Sequence, residues 1–396
     1  MTPETLFNRL YEAIDSGVET TELTRESVLA SSPDWHREAA LTFGSWEQYL
    51  AAAVIRLRGQ VSGERRVDES TQDEPRPDRV VDGRSRGHVF GVSDQGYAFV
   101  VPMETLPSDA SPGLAWVDGA EDHLLQRLDS SEDDTGVLLF TSAGNGLAVD
   151  MRLLSVWEPG ALIRSLQLRF SGLVAGEKIV CALPKRALRT GNRLHFITTD
   201  GQVKVSDPAE YRKLSSEALL ATVLRDGDAL CTVVAAPEES LLSLWSSMGK
   251  ALVFETSEIR SQGRKAGGVR GIQLDEGAGV VSGFTANDHA MVILATAQGF
   301  LKRMRLSDFR SQGRAGGGLQ TCRLSPGDTV ACVAPVELDG DVVLLTSSGL
   351  IARFPAYDVP LHGRAARGEA MLQLSAGETI VHVSGVPAGA WAGGAR

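Results

Sequence analysis

The sequence predicts an all-β chain organised as a six-bladed, propeller-like domain with four strands per blade, preceded by a small α-helical bundle. Two series of glycines and one change of pattern carry that reading. The first series separates paired apolar runs at Gly96, Gly144, Gly201, Gly249, Gly299 and Gly349, at intervals of 48, 57, 48, 50 and 50. The second follows in Asp118-Gly119, Ala175-Gly176-Glu177, Asp226-Gly227-Asp228, Glu276-Gly277, Pro326-Gly327-Asp328 and Ala376-Gly377-Glu378, at intervals of 57, 51, 50, 50 and 50. Two independent series with one period mark a structural repeat. From about residue 85 the chain also changes from helical spacing to short β-branched and aliphatic runs punctuated by glycine.

Residues 1–60 read as a small helical domain. Thr2-Pro3-Glu4 is a helix start with Pro at the first helical position, and Leu6, Leu10 and Ile14 follow on one face. Thr24 can cap a middle helix, Trp35, Ala39, Ala40 and Phe43 make a further apolar set, and Ser45-Trp46-Glu47-Gln48 fits a capping box. Residues 61–84, rich in charge and proline, read as a solvated acidic linker. The repeat domain then covers 85–386, with blades at about 85–133, 134–186, 187–235, 236–286, 287–335 and 336–386, and 387–396 is a tail. Each unit reads strand, Gly turn, strand, longer loop, strand, Gly turn, strand. In the fifth unit these are Ala290–Thr296, Phe300–Arg305, Gly318–Leu324 and Thr329–Ala334. One such unit cannot bury its apolar face alone, and ring closure also protects its edges.

The 396 residues carry 39 Lys+Arg against 50 Asp+Glu, a formal net charge of -11, which at first argues against a nucleic-acid partner. The charge is unevenly spread. Residues 1–84 carry 10 - 16 = -6, residues 85–238 carry 14 - 20 = -6, and residues 239–396 carry 15 - 14 = +1. With 43% hydrophobic and 22% charged residues the chain is of ordinary globular composition, and no apolar run approaches the roughly 20 residues of a membrane span. Cys181, Cys231, Cys322 and Cys332 form no C-x-x-C pair and follow no secretory signal, so a reducing compartment without disulfides is expected. Cys181, Cys231 and Cys332 fall on the last strand of their units, where a small core residue fits.

The loops between second and third strands carry the distinctive chemistry. The fourth unit has Glu258-Ile259-Arg260-Ser261-Gln262-Gly263-Arg264-Lys265-Ala266-Gly267-Gly268-Val269-Arg270, the fifth Asp308-Phe309-Arg310-Ser311-Gln312-Gly313-Arg314-Ala315-Gly316-Gly317-Gly318-Leu319, and the sixth Leu361-His362-Gly363-Arg364-Ala365-Ala366-Arg367-Gly368. Glycines let a backbone approach a phosphate closely, and Arg and Lys neutralise it and form bidentate contacts. A rim of such groups suits backbone-directed DNA binding with little base reading. The alternative is that these are solvated turns whose arginines screen nearby carboxylates.

With Gly299-Phe300-Leu301-Lys302-Arg303 and Gly349-Leu350-Ile351-Ala352-Arg353 ahead of two of them, these segments resemble the C-terminal β-pinwheel of the A-type subunit of DNA gyrase and of its topoisomerase IV counterpart. The resemblance covers about 236–386, extends into the third unit through Thr199-Asp200-Gly201-Gln202-Val203-Lys204, fades in the first two units and leaves out residues 1–84. It implies a six-bladed β-pinwheel of bacterial type whose basic perimeter binds and bends duplex DNA. It also implies a non-enzymatic, cytoplasmic and nucleoid-associated monomer, because the catalytic breakage-reunion region has no room in this chain. Such a protein could modulate DNA topology or assist a topoisomerase in trans. The DNA-contacting set implied is Lys204, Arg260, Gln262, Gly263, Arg264, Lys265, Arg270, Lys302, Arg303, Arg305, Arg310, Gln312, Arg314, Arg353, Arg364 and Arg367. One departure bears on mechanism. The first-unit loop Leu106-Pro107-Ser108-Asp109-Ala110-Ser111-Pro112-Gly113 has no basic residue where the family has its Gln/Arg/Gly-rich box, so bending without strong chiral wrapping is expected.

Other motifs are weaker. Gly263 to Gly268 has phosphate-loop glycine spacing, but Val269 stands where Lys is required. Asp226-Gly227-Asp228 and Asp339-Gly340-Asp341 read as hairpin turns rather than calcium loops. The seven histidines form neither H-E-x-x-H nor a Cys/His cluster, so no metal, cofactor or catalytic residue is expected. His362 could touch a phosphate. Leu23–Val28 and Ala39–Glu47 have the spacing of a helix-turn-helix, but their acidic surroundings favour a protein-docking bundle with its partner at residues 1–60. The rival reading of the whole chain is a protein-interaction scaffold whose pinwheel has lost DNA affinity.

Overall fold

The computed structural model describes the strands between 87 and 129 by their backbone, and with a few gaps residues 136–156, 176–285, 290–347 and 350–386; of the first 60 residues it describes Asp34, Trp35 and Arg37. The expected helical bundle, linker, tail and first-unit loop lie otherwise outside the described residues.

The first unit supplies β1 (Gly87–Val92), β2 (Ala98–Pro102), β3 (Leu114–Trp116) and β4 (Leu124–Asp129). The second supplies β5 (Gly136–Thr141), β6 (Asn145–Asp150), β7 (Ser155–Val156) and β8 (Ile179–Pro184). The third gives β9 (Asn192–Thr198), β10 (Gln202–Ser206), β11 (Leu219–Leu220) and β12 (Leu230–Pro237), and the fourth β13 (Leu241–Ser246), β14 (Lys250–Glu255), β15 (Val269–Arg270) and β16 (Val280–Thr285). The fifth gives β17 (Met291–Thr296), β18 (Phe300–Arg305), β19 (Leu319–Gln320) and β20 (Val330–Val336), and the sixth β21 (Asp341–Thr346), β22 (Leu350–Pro355), β23 (Glu369–Ala370) and β24 (Ile380–Val386). The fold is all-β and propeller-like, with four-stranded blades.

The hairpins form where the first glycine series places them, and the turn has a repeated cause. In the second to fifth units a hydroxyl at the end of the first strand accepts an N–H four residues on: Asn145 N to Thr141 Oγ1 at 3.2 Å, Gln202 N to Thr198 Oγ1 at 3.1 Å, Lys250 N to Ser246 Oγ at 3.1 Å and Phe300 N to Thr296 Oγ1 at 3.2 Å. The glycine between them sits at φ +77° in Gly201, +75° in Gly249 and +92° in Gly299, a region that other residues enter at a cost. The second series also marks turns. Asp228 Oδ1 accepts the N–H of Asp200 at 2.9 Å, and Asp328 Oδ1 that of Gln298 at 3.0 Å, so these aspartates tie the two turns of one unit together.

The third strand is not paired within its own unit, which corrects the expected unit-by-unit blade. The sheet that contains β9, β10 and β12 takes β15 from the fourth unit as its outer strand, with Gln202 opposite Arg270 and Val203 opposite Val269. Likewise β14 takes β19, β18 takes β23 and β6 takes β11. The third strand of the first unit, β3, lies against β22 of the sixth, with Leu350 opposite Trp116. The expected strand Gly318–Leu324 is therefore two residues long, and the loop before it uses its length to cross to the neighbouring blade.

Apolar clusters lie between blades, not within them. In β17, whose six residues are all buried, Met291, Ile293 and Ala295 pack toward β21 and Val292 and Leu294 toward β13 and β14. Continuous apolar runs in the sequence are thus strands buried on both faces. The four cysteines are free, with Cys181, Cys322 and Cys332 buried and Cys231 half-buried. No helix among the described residues is long and apolar enough to cross a membrane.

Candidate nucleic-acid interface

Three equivalent loops run from short 3-10 turns at Thr256–Glu258, Leu306–Asp308 and Ala356–Asp358 to the outer strands β15, β19 and β23. Each is anchored first by a buried apolar residue, Ile259, Phe309 or Val359. Each then pairs with the second strand of the preceding blade. Gln262 N donates to Val205 O at 2.7 Å, Gln312 N to Val253 O at 2.8 Å and His362 N to Arg303 O at 3.0 Å. A tight turn follows in two of them, with Ala266 N donating to Gly263 O at 3.1 Å and Ala366 N to Gly363 O at 3.0 Å.

The last glycine of each loop explains why the motif ends as it does. Gly268, Gly318 and Gly368 have φ of +82°, +73° and +93°, and a Cβ at any of them would come within 2.6 Å of a backbone oxygen, of Val203, Ala251 and Leu301 respectively. Only glycine lets the outer strand lie this close to its neighbour. These are anchoring residues, and a phosphate is not needed to account for them.

The loops also hold one another. Arg314 Nη1 donates to Arg270 O at 3.2 Å, and Arg364 Nη1 donates to Gln320 O at 2.8 Å, the same contact one repeat later. Arg314 N donates to Glu258 Oε2 at 3.0 Å, and Gln273 N to Gly316 O at 2.9 Å. The rim is thus a series of linked backbone segments from which side chains project.

The expected contact residues separate into two groups. Arg260, Lys265, Arg270, Arg310, Arg314 and Arg367 are exposed, as is Gly263, while Gln262, Arg264, Arg305, Gln312 and Arg364 are half-buried. The guanidinium of Arg367 stacks on Phe300 with 3.8 Å to the ring centroid. His362, half-buried, faces Glu369 with Nε2 3.4 Å from Oε1.

Lys204, Lys302, Arg303 and Arg353 are buried, at 1%, 0%, 5% and 4% exposure, so direct phosphate contact through these four is corrected by their placement. Lys302 points inward, where its ammonium donates to the carbonyls of Arg364 at 2.7 Å, Ala366 at 2.8 Å, Gly363 at 3.3 Å and Thr321. Lys204 donates to Ala221 O at 2.7 Å, Tyr211 Oη at 3.3 Å and Arg264 O at 3.4 Å, above the ring of Phe196. Burial lowers Lys302 to about 8, with Cys322 acting to raise it and Arg364 to lower it further. Burial likewise lowers Lys204 to about 7. Arg303 stacks near Tyr357, and Arg353 pairs with Asp341 through both Nε, at 3.0 Å, and Nη2. Lys204 and Lys302 thus hold the loops in place from beneath, while Arg353 is held within its own blade by Asp341.

A signal for this was present in the repeat. Counted from the turn glycines 201, 249, 299 and 349, the third residue onward is Lys204, Leu252, Lys302 and Ala352, so a lysine shares a site with a buried leucine. Conversely, exposed Lys185 and Arg189 lie outside the loops and carry no motif, whereas exposed Arg212, in the loop between β10 and β11 with Lys213 beside it, stands eleven residues after Gly201 as Arg260 and Arg310 stand after Gly249 and Gly299.

Residues 246–287, 290–337 and 340–387 match the family model described as DNA gyrase C-terminal domain, beta-propeller. The A-type subunit of DNA gyrase from Escherichia coli (strain K12) is 28% identical over 216 residues, which are 54% of this chain and 25% of that protein. The A-type subunit of DNA topoisomerase 4 from Bacillus subtilis (strain 168) is 31% identical over 185 residues, 46% of this chain and 22% of that protein. The chain therefore spans about a quarter of the length of the curated relatives it matches. Among solved structures, a DNA gyrase A C-terminal domain aligns over 75% of this chain and 99% of its own, with a TM-score of 0.64 at 18% identity. The C-terminal domain of a DNA topoisomerase IV aligns over 76% and 93%, with a TM-score of 0.58 at 21% identity. At these identities the structural likeness concerns the fold.

Proposed function

We propose, for a chain whose blades between residues 246 and 387 match the DNA gyrase C-terminal β-propeller family, a non-enzymatic protein that binds and bends duplex DNA along the rim of a closed six-bladed disc. The observation that carries this reading is the recurrence of arginine on three linked loops. Arg264, Arg314 and Arg364 stand 50 residues apart, as do Arg260 and Arg310, and the last glycine of each loop is at positive φ. Equivalent cations on adjacent blades repeat along an arc, as the phosphates of a duplex do along its backbone. The printed names of the relatives, DNA gyrase and DNA topoisomerase 4, support the same ligand.

The count of six blades is supported by six four-stranded sheets and by the β3–β22 pairing, which joins the first unit to the last. The protein acts as a cytoplasmic, nucleoid-associated monomer, and residues 1–60 dock a protein partner. The first-unit loop lacks basic residues, so DNA is bent without strong wrapping, and DNA topology is modulated modestly or through a topoisomerase acting in trans.

Mobility shift of the full chain on duplex DNA across a salt series tests this. Binding should weaken steeply with salt, and the combined Arg264→Ala, Lys265→Ala, Arg310→Ala and Arg314→Ala variant should lose at least about tenfold in affinity while remaining folded. Absence of retention at low salt sinks the DNA reading and leaves the scaffold reading in its place.

A further inference from the structure

The connector between the second and third blades differs in charge from its counterparts. It contains the 3-10 turn Lys185–Leu188 and continues through Arg189 to β9, with Lys185 and Arg189 both exposed. At the equivalent junction two units are acidic: exposed Glu238 and Glu239 lie between β12 and β13, and Glu337 and Asp339 between β20 and β21.

Topology places this connector beside the rim loops. The antiparallel register sets the start of β9 next to the end of β10, with Leu194 opposite Ser206, and next to the end of β12, with Asn192 opposite Pro237. The end of β8 is placed alike, with Pro184 opposite Val137 at the start of β5 as Ser206 is opposite Leu194 at the start of β9. The turn Pro208–Tyr211 that follows β10 packs against the turn Lys185–Leu188. It is followed at once by exposed Arg212 and Lys213. Beyond it lies the fourth-unit loop, where Ser206 Oγ donates to Gln262 O at 2.7 Å and a Cβ on Gly263 would stand 3.9 Å from Glu210 Oε2.

The connector is also held in shape. Arg189 N donates to Arg186 O at 3.0 Å, Asn192 Nδ2 donates to Ala187 O at 3.2 Å, and the stem of Lys185 covers Gly136, where a Cβ would meet Lys185 Cδ at 2.7 Å. The local acids are Asp207, which caps its own turn through Ala209 N at 2.8 Å, and Glu210. Arg193 is already paired with Glu238 at 2.9 Å.

We infer that Lys185, Arg189, Arg212 and Lys213 form a second phosphate-contacting surface that carries the duplex from the rim of the third blade onto the face of the disc between the second and third blades. The inference rests on the DNA reading above: Arg212 and Lys213 continue the rim by one blade, Arg212 at the repeat position of Arg260 and Arg310, and Lys185 and Arg189 on the connector take the contact off that arc. Its ligand is the same duplex, held by backbone phosphates without base reading.

The test compares three full-length proteins on one duplex of about 40 base pairs, long enough for several helical turns: wild type, the loop variant named above, and the combined Lys185→Ala, Arg189→Ala, Arg212→Ala and Lys213→Ala variant. The slope of log affinity against log salt and the hydroxyl-radical footprint are read for each. The face variant should unfold at the wild-type denaturant concentration, lose roughly 2–4 from the magnitude of the salt slope at about 0.9 per phosphate contact, and protect several fewer base pairs. If wild type binds in a loop-dependent way but the face variant keeps its slope and footprint, this inference is overturned and the rim reading stands. If wild type does not bind, both fall.

Discussion

Lys302 Nζ donates to the carbonyl of Arg364 at 2.7 Å, so a fully buried cation on one blade fixes the backbone that presents a half-buried arginine from the next. The same ammonium also engages Gly363 and Ala366, which brackets the tight turn of that loop from within.

Replacing Lys302 by Leu should therefore disorganise the loop while leaving the strand intact, because the equivalent site in the preceding blade is Leu252. The part-buried carbonyls of Gly363, Arg364 and Ala366 would lose their donor, at a cost of roughly 1–3 kcal/mol. Urea unfolding should show a lower midpoint, and amide exchange should quicken first at 361–368. An unchanged midpoint and unchanged exchange would dismiss the clamp.

The pH dependence has a definite sign. Lys302 has its folded value lowered to about 8 by burial, against 10.5 ordinarily. Between those values the unfolded chain holds the proton and the folded chain has released it, so stability through this group rises as pH rises across the window. Because burial raises the Cys231 thiol to about 12 and so works in the opposite direction above pH 9, the gain is read in denaturant titrations at about pH 7.5, 9 and 10 as the stability of wild type relative to Lys302→Leu. That difference should widen with pH. A wild type and variant with parallel pH profiles would contradict the assignment.

Two glycines of similar φ should respond differently to alanine. Gly318 has φ +73° and faces Ala251 O at 2.6 Å, whereas Gly327 has φ +74° and nothing within 4 Å. Gly327→Ala should cost about 1 kcal/mol, the penalty of the left-handed backbone alone. Gly318→Ala adds a collision with backbone and should cost roughly 3 kcal/mol or more, with β19 displaced from β14. Thermal unfolding of the two variants side by side decides this, and equal losses would show that the close approach is not what selects glycine.

Strand positions and turns were legible because each has a local cause written in a few adjacent residues. Thr198 to Gly201, for example, contains both the accepting hydroxyl and the left-handed turn. Strand exchange was not legible, since Leu319 and Gln320 are too few to show alternation and nothing in their neighbourhood names a partner about 70 residues earlier, at Lys250 and Ala251. Charge misled for a related reason. Lys302 and Arg303 look like surface residues beside Arg305, yet β18 is buried on both faces and only the alignment of repeats puts Lys302 where another blade keeps leucine. Among the loop cations, Arg260, Lys265, Arg270, Arg310, Arg314 and Arg367 remained at the surface as the motif suggested.

The pairing of β3 with β22 has a consequence for the growing chain. Trp116 and its partner Leu350 are 350 - 116 = 234 residues apart. At translation rates of about 5–20 residues per second, β3 waits on the order of ten to fifty seconds for the strand that completes its ladder. During synthesis each of the first five blades is likewise missing its outer strand until the next unit emerges. A nascent chain therefore presents an advancing open sheet edge and a waiting one, and its exposure to misassembly on the ribosome is set by the order in which these edges meet.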